Sequence, residues 1–337
     1  MNRVTPGRRP TLENVAARAG VSRATVSRVV NGMPVNASSQ EAVRKAIDEL
    51  GYVPNHAART LVTQRTELIA LVLPEPTTRV FSEDQFFPGV IHGVSQELET
   101  ADKQLVLMLA GSPRSRTRIE RSVAAHHVDG VILASLHGTD PLPAALTRTG
   151  IPVVCNERTL GSTPLPCVGV DNAGGAATAV QHLLDAGRTR IATIAGPQDM
   201  IGGIDRLAGY RDALRDSSRR SIVAVGDFTK DSGEAAMRQL LADDPGLDAV
   251  FVASDLMADG ALHALRVAGR RVPDDVAVIG FDDIALARYT DPPLTTVRQP
   301  ITEIGRQLAR QLLRLVAGED IDPTMTLPTE LIIRESA

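Results

Sequence analysis

The sequence predicts an α/β chain in which a small all-helical head precedes two doubly wound parallel sheets in tandem. Three observations predict it. Up to about residue 50 the apolar side chains recur only at helical spacing. From Leu68 onward, short continuous apolar runs alternate with helical stretches, as parallel strands buried on both faces require. That beat then restarts near Ala173, which doubles the unit. At 337 residues the chain has room for two or three domains, and its hydrophobic share of 43% supports a sizeable core.

Residues 1–9 are polar and basic, with Pro6 and Gly7, and read as a disordered arm ahead of a head at 10–53. Thr11 is placed to cap a first helix, with Asn14 standing in for the Glu or Gln of a capping box. Leu12, Val15, Ala16 and Ala19 line one face of it. Gly20 supplies the left-handed residue that ends this helix, Val21 plugs the corner, and Ser22 caps a second helix beginning at Arg23. Val26, Val29 and Val30 point back into the pair, so Arg23, Ala24, Ser27 and Arg28 face outward. Small Ala16 opposite Val26 lets the helices cross closely. Two caps, a Gly-Val-Ser turn and an outer face with two arginines describe a helix-turn-helix, whose second helix enters the major groove of DNA. Asn36 then caps a third helix to about Leu50, with Ala42, Val43, Ala46, Ile47 and Leu50 inward and Gly51 as the stop. At 54–66, Pro54 breaks the chain and Asn55 is placed to cap a short hinge helix, His56 to about Leu61, too short to be stable alone.

Charge divides along the same line. Residues 1–65 hold ten Lys and Arg against four Asp and Glu, a net +6, so with −4 for the whole chain the remainder carries −10. A basic head on an acidic body fits a phosphate-binding module joined to a domain that does not bind DNA.

The expected core spans 67–337. Its first unit has strands Leu68 to Pro74, Gln104 to Ala110, Gly130 to Ser135 and Ile151 to Asn156, separated by helices. The second has strands Arg190 to Gly196, Val223 to Val225, Ala249 to Ser254 and Val276 to Asp282. A last helix, Glu303 to Ala317, and a strand, Leu331 to Ile333, complete the pattern.

Other chemistries find little support. No apolar run reaches membrane-spanning length, and the N-terminus lacks a signal-peptide core, so the reading is a cytoplasmic, nucleoid-associated protein with no membrane partner. Cys155 and Cys167 read as buried thiols. Gly174-Gly175 and Gly202-Gly203 fit neither a dinucleotide fingerprint nor a P-loop, and His126, His127, His182 and His263 lack partners at metal spacing. No catalytic residues, cofactor or metal are expected.

TLENVAARAGVSRATVSRVVNG, GYVPN-x-x-A-x-x-L, GV-x-x-DN-x-x-G, RLAGY, SD-x-MA-x-GAL, DVAVIGFDDI, PPLTTVRQP and LIIRES occur in fixed order over essentially the whole chain. In them the sequence resembles the lactose-repressor/galactose-repressor transcription factors. The resemblance implies a core of two Rossmann-like subdomains of periplasmic-binding-protein type. Three crossings divide it into about 67–166 plus 297–327 and about 167–296 plus 328–337, with a ligand cleft between. It implies a homodimer on a pseudo-palindromic double-stranded operator, with no extra tetramerising helix after LIIRES.

Carried over onto matching positions, Arg23, Ala24 and Arg28 read base edges, while Ser22, Thr25, Ser27 and Asn31 contact phosphates. Thr11, Tyr52, Asn55 and Ala58 join the DNA-contacting set, and Leu61 matches the leucine that wedges into the minor groove. Phe86, Phe87, Glu157, Arg158, Arg206, Phe228, Ser254 and Asp282 fall at effector-binding positions. Asp84-Gln85 departs from the family's usual Asn-Pro before the aromatic wall, and Ser254 replaces a commoner Asn. For Asp171, Asp255 and Asp283, helix or turn capping competes with a cleft role. The function implied is a repressor controlled by a small molecule, a sugar in the first instance. A purine, nucleoside or protein co-regulator is the alternative, and a sugar-binding transport protein is disfavoured by the helix-turn-helix.

Overall fold

The computed structural model describes residues 10–53, 65–138, 140–161, 163–215 and 220–337. It forms two compact units, Met1–Thr66 and Glu67–Ala337. The arm expected at 1–9 and the hinge helix expected at 56–61 lie outside the described residues, and with them Asn55, Ala58 and Leu61.

The head contains α1 (Leu12–Ala19), α2 (Arg23–Val30) and α3 (Ala37–Leu50). Each begins at a capping side chain. Thr11 and Asn14 form a reciprocal box, Ser22 accepts from the Thr25 amide, and Asn36 accepts from the Ser39 amide. Gly20 and Gly51 end α1 and α3 in the left-handed region, at φ 68° and 59°, where a side chain would be strained. Val15, Ala16, Val26, Val43, Ala46 and Tyr52 form the buried centre.

The second unit is built on two six-stranded sheets. Its elements are β1 (Leu68–Leu73), α4 (Thr77–Val80), α5 (Phe86–Thr100), β2 (Gln104–Leu109), α6 (Pro113–Ala124), β3 (Gly130–Leu133), α7 (Leu142–Thr147), β4 (Val153–Asn156) and β5 (Cys167–Val170). There follow α8 (Asn172–Asp185), β6 (Ile191–Ala195), α9 (Ile201–Arg215), β7 (Ile222–Val225), α10 (Lys230–Asp243), β8 (Ala249–Val252), α11 (Asp255–Val267) and β9 (Ala277–Asp282). The chain closes with β10 (Thr295–Arg298), α12 (Ile301–Val316), β11 (Thr324–Leu327) and β12 (Glu330–Ile332). Sheet one runs β11-β5-β4-β3-β1-β2 and sheet two β12-β10-β9-β8-β6-β7. All neighbours are parallel except β12, which pairs antiparallel with β10.

This pairing corrects two expected crossings. Cys167–Val170, assigned from sequence to the second subdomain, adds to β4 as a strand of sheet one. The chain crosses at Asp171 instead. Val297 and Arg298, assigned to the first subdomain, belong to β10 beside β9, so the second crossing falls at Gln299 and Pro300. Strand β5 lies between β4 and the edge strand β11, and which sheet so short a run joins follows from its pairing rather than from its own pattern.

Glycines set how closely the covering helices approach. A Cβ on Gly93 of α5 would lie 2.0 Å from the Thr302 carbonyl oxygen of α12, and one on Gly305 of α12 would lie 2.3 Å from the Val90 carbonyl oxygen. The α10–α11 pair repeats the device at Gly233 and Gly260, each 2.1 Å from a facing carbonyl oxygen. In the α8–α9 pair it is Gly209, 2.1 Å from the Ala173 carbonyl oxygen. Helix α8 starts at Asn172 and α9 carries Arg206, so this contact fixes two side chains of the cleft. Gly209→Ala is therefore expected to part the two helices and lower core stability by about 1–3 kcal/mol. Urea unfolding checks this, and an unchanged midpoint would show that the pair separates without cost.

Candidate functional site

In the head, the outward face of α2 presents Arg23, Ala24 and Arg28 to solvent. Arg23 Nε lies 3.2 Å from Glu13 Oε1 on α1, with both side chains more than half exposed, so the pair is weak and either partner is free to turn outward. Arg28 makes no ion pair among the described residues. The expected phosphate set already serves the fold. Ser22 Oγ accepts from the Thr25 amide at 3.1 Å, the two hydroxyls lie 2.9 Å apart, and Asn31 Nδ2 donates to Ser27 Oγ at 3.3 Å. Thr11 is engaged in its own capping box. Tyr52, also carried over as a DNA contact, packs its ring with Val15, Val26 and Val43 in the core of the small head.

In the second unit, strand ends from both sheets open onto one cavity. It is lined by all eight side chains singled out from sequence, Phe86, Phe87, Glu157, Arg158, Arg206, Phe228, Ser254 and Asp282. Asp84, Arg79, Asn156 and Gln299 also line it. Four lining residues that follow strand ends hold positive φ without being glycine: Ser135 (62°), Glu157 (66°), Phe228 (67°) and Asp282 (117°). Such backbones cost on the order of 1–3 kcal/mol each and persist where surrounding structure enforces them, commonly at binding sites.

Arg206 is the centre of the cavity's polar network. Its side chain is buried; Nε donates to Asn172 Oδ1 at 2.8 Å and Nη1 to the Ala253 carbonyl at 2.6 Å. Nη1 also pairs with Asp282 Oδ1 at 3.3 Å, and the guanidinium carbon stands 3.7 Å from the Phe281 ring centroid. Burial opposes the Arg206 charge, while Asp282 and Glu157 support it. Asn172 also donates to Glu157 Oε1 at 3.0 Å, which ties the first subdomain's carboxylate to the second subdomain's arginine. Gln299, at the crossing, donates to Asp282 Oδ1 at 2.6 Å.

Burial pushes the Asp282 carboxyl up to about 7, against the lowering effect of Arg206, and Asp84 across the cavity adds to the rise. Burial likewise raises Glu157 and Asp84. Arg158 instead grips Asp205 through two hydrogen bonds of 2.5 and 2.7 Å at the rim. Phe87 is buried in the core of sheet one, leaving Phe86 and Phe228 as the more open aromatic faces.

Besides the Asn172–Glu157 and Arg158–Asp205 links, further polar contacts join the subdomains beside the cavity. Arg79 Nη1 donates to the Asp227 carbonyl at 2.7 Å, the Ala285 amide donates to Gln85 Oε1 at 3.0 Å, and His137 Nδ1 lies 3.0 Å from Asp199 Oδ2. The other His137 nitrogen lies 3.0 Å from Glu75 Oε1, and the Glu75 hydrogen bond is the first of the effects that raise the His137 pKa.

Sequence reasoning quoted the fragments containing Asn172 and Gln299 without reading either as a site residue. Their polar amides beside a strand end were the available signal. Of the three aspartates left between roles, Asp171 caps α8. Asp255 lies fully buried and accepts from Thr296 Oγ1 and the Ile284 amide. Asp283 holds Arg298 and Arg334 rather than capping a turn.

Comparison with known proteins places this geometry. Residues 11–55 match the family model described as bacterial regulatory proteins, lacI family, and residues 180–337 match a periplasmic binding protein-like domain. The HTH-type transcriptional regulator CelR of Thermobifida fusca is 50% identical over 336 residues, covering 98% of each chain. A solved CelR–cellobiose complex aligns at a TM-score of 0.78 and 47% identity, covering 98% of this chain and 100% of that one. The lac repressor dimer bound to operator and an anti-inducer aligns at 0.85 and 28% identity, covering 98% and 99%.

The raised Asp282 carboxyl has a pH consequence. Its folded value, about 7, exceeds the ordinary 3.8, so folding takes up a proton between these values. The group's contribution to stability is therefore greatest below about pH 4 and declines as pH rises through about 7. Relative to Asp282→Asn, the wild-type core is expected to lose stability steadily from pH 4 to 7.5 in urea titrations; parallel profiles for the two proteins would exclude it.

Proposed function

The chain belongs to the lacI family of bacterial regulatory proteins, and on that premise we propose that it is a dimeric repressor whose operator affinity is set by a neutral sugar, cellobiose first among candidates, held in the cleft. It is a sequence-specific DNA-binding transcriptional regulator. The carrying observation is the buried Arg206–Asp282 pair facing Phe228 and Phe86 across one cavity. Carboxylate and guanidinium grip hydroxyl pairs through charge-assisted hydrogen bonds, and aromatic faces take the apolar side of a sugar ring.

On this reading Phe86, Glu157, Arg206, Phe228, Ser254 and Asp282 contact the effector. Arg158 shapes the rim, and Phe87 supports Phe86 from the core at a T-shaped 5.7 Å. In the head, Arg23, Ala24 and Arg28 read bases. Ser22, Thr25, Ser27 and Asn31 hold the recognition helix against phosphates, and Asn55, Ala58 and Leu61 act at the minor groove between half-sites. The effector biases an open–closed equilibrium by its differential affinity for the two states, typically about 1–3 kcal/mol.

Two measurements test this. Saturating cellobiose is expected to change operator affinity in a fluorescence anisotropy assay by about 5–150-fold; an affinity unmoved by cellobiose and a panel of other neutral sugars would remove the sugar. Arg28→Ala is expected to relax the base preference at one position of each half-site, at about 1–3 kcal/mol. A uniform loss over all sequences would make Arg28 a phosphate contact.

A further inference from the structure

Each arginine of the cavity already has a carboxylate. Arg79 Nε lies 3.4 Å from Glu75, Arg158 is paired with Asp205, and Arg206 with Asp282. Two further carboxylates line the same cavity, Asp84 from the first subdomain and Glu157 at the end of β4. Neither forms an ion pair among the described residues. Glu157 is occupied by Asn172. Asp84 differs: its Oδ1 accepts from the Phe86 amide at 2.9 Å, which fixes the carboxylate at the start of α5, directly beside the Phe86 ring. Its second oxygen takes no hydrogen bond among the described residues, and the residue lines the cavity. The opposite wall carries Asp282, whose charge Asp84 destabilises; burial opposes the Asp84 charge, which the Phe86 amide and then Arg79 and Arg206 support.

We propose that Asp84 is the specificity-determining residue of the first subdomain: paired across the cleft with Asp282, it accepts hydroxyl hydrogen bonds from a neutral sugar and turns away sugars that carry a carboxylate or phosphate. This rests on the sugar reading above and narrows it. The physical ground is that a hydroxyl donates to an ionised acceptor at no cost in charge. An anionic substituent brought beside Asp84 would instead meet cations already committed among the described residues, Arg79 to Glu75 and Arg206 to Asp282, in a space where water screens little. The asymmetry also assigns tasks: Arg206 and Asp282 grip from the second subdomain, and Asp84 senses charge from the first. Because the two walls come from different subdomains, an anion between them opposes closure as well as binding.

The test is isothermal titration of the full-length protein and of Asp84→Asn with cellobiose and with cellobionate, its C1 carboxylic acid. Asparagine keeps an oxygen for the Phe86 amide, and equal melting temperatures without ligand confirm that the loop is retained. Wild type is expected to bind cellobiose and to bind cellobionate at least about tenfold more weakly. In Asp84→Asn, cellobiose affinity should fall about tenfold, the scale of one hydrogen bond to a charged group. The gap between the two sugars should narrow at the same time. The shape difference between the sugars is common to both proteins, so the ratio of ratios isolates the charge of Asp84. A variant that binds cellobiose within twofold of wild type, or that keeps the same gap, overturns the proposal while leaving the sugar reading in place. Wild type that binds neither cellobiose nor any other neutral sugar overturns both.

Discussion

A buried guanidinium is the constraint around which the second unit is arranged. An arginine removed from water must have its hydrogen bonds and its charge satisfied locally, because leaving either unmet costs several kcal/mol. Arg206 meets this through the Asn172 amide oxygen, the Ala253 carbonyl, the Asp282 carboxylate and the Phe281 ring face. These partners come from the start of α8, the end of β8 and the end of β9, so one side chain holds three elements in register. Glu157 joins from the other subdomain through Asn172. The polar centre of the cleft and the alignment of the second sheet are therefore parts of a single satisfied network.

That network works only if the backbone delivers its members to one place. Parallel sheets bring successive strand ends to the same edge, which is why the cavity lies there. Glu157, Phe228 and Asp282 each combine a positive φ with a side chain that lines the cavity. Behind the cavity, the close approach at Gly209 holds α8 and α9 together and so fixes Asn172 against Arg206. Strain at the rim and close packing behind it are complementary, because a rigid scaffold is what lets unfavourable backbone torsions persist.

Much of this was legible in the sequence, for identifiable reasons. The head was readable because its signals are local: Thr11, Ser22 and Asn36 cap, and Gly20 and Gly51 stop, whatever the rest of the chain does. Long buried strands such as Leu68–Leu73 announce themselves by continuous hydrophobicity. The sheet membership of β5 and of Val297 and Arg298 in β10 did not, since pairing between distant segments is not written in local hydrophobicity, and the two subdomain crossings beside them were misplaced. In the cleft, charged and aromatic side chains stood out, and the eight chosen ones do line one cavity. Asn172 and Gln299 were invisible as site residues because their importance lies in a pairing over more than 30 residues with Arg206 or in a crossing point, neither of which spacing encodes. Tyr52, carried over as a DNA contact, also has a place in the core of the head, which its position in the sequence does not show.

The charge division of the chain bears on how cleft and head communicate. The head is net positive and the remainder net negative. A ligand that brought charge into the cleft would change operator affinity by altering the field that phosphates meet. A neutral ligand has no such route at all. On the proposed reading its effect passes through the relative placement of the two subdomains, and the polar contacts there include Arg79 to the Asp227 carbonyl, the Ala285 amide to Gln85, His137 to Asp199, Arg158 to Asp205 and Asn172 to Glu157. Each is a single hydrogen bond or ion pair, worth roughly 0.5–1.5 kcal/mol net when neutral and more when charged. The sum of such contacts is comparable with a typical allosteric coupling energy. A closed state held by contacts of that size can be populated or released by one sugar, whereas a large apolar interface between the subdomains would be beyond its reach. Polar contacts of this size beside the cavity are thus within the reach of a small uncharged molecule, as the proposed function requires.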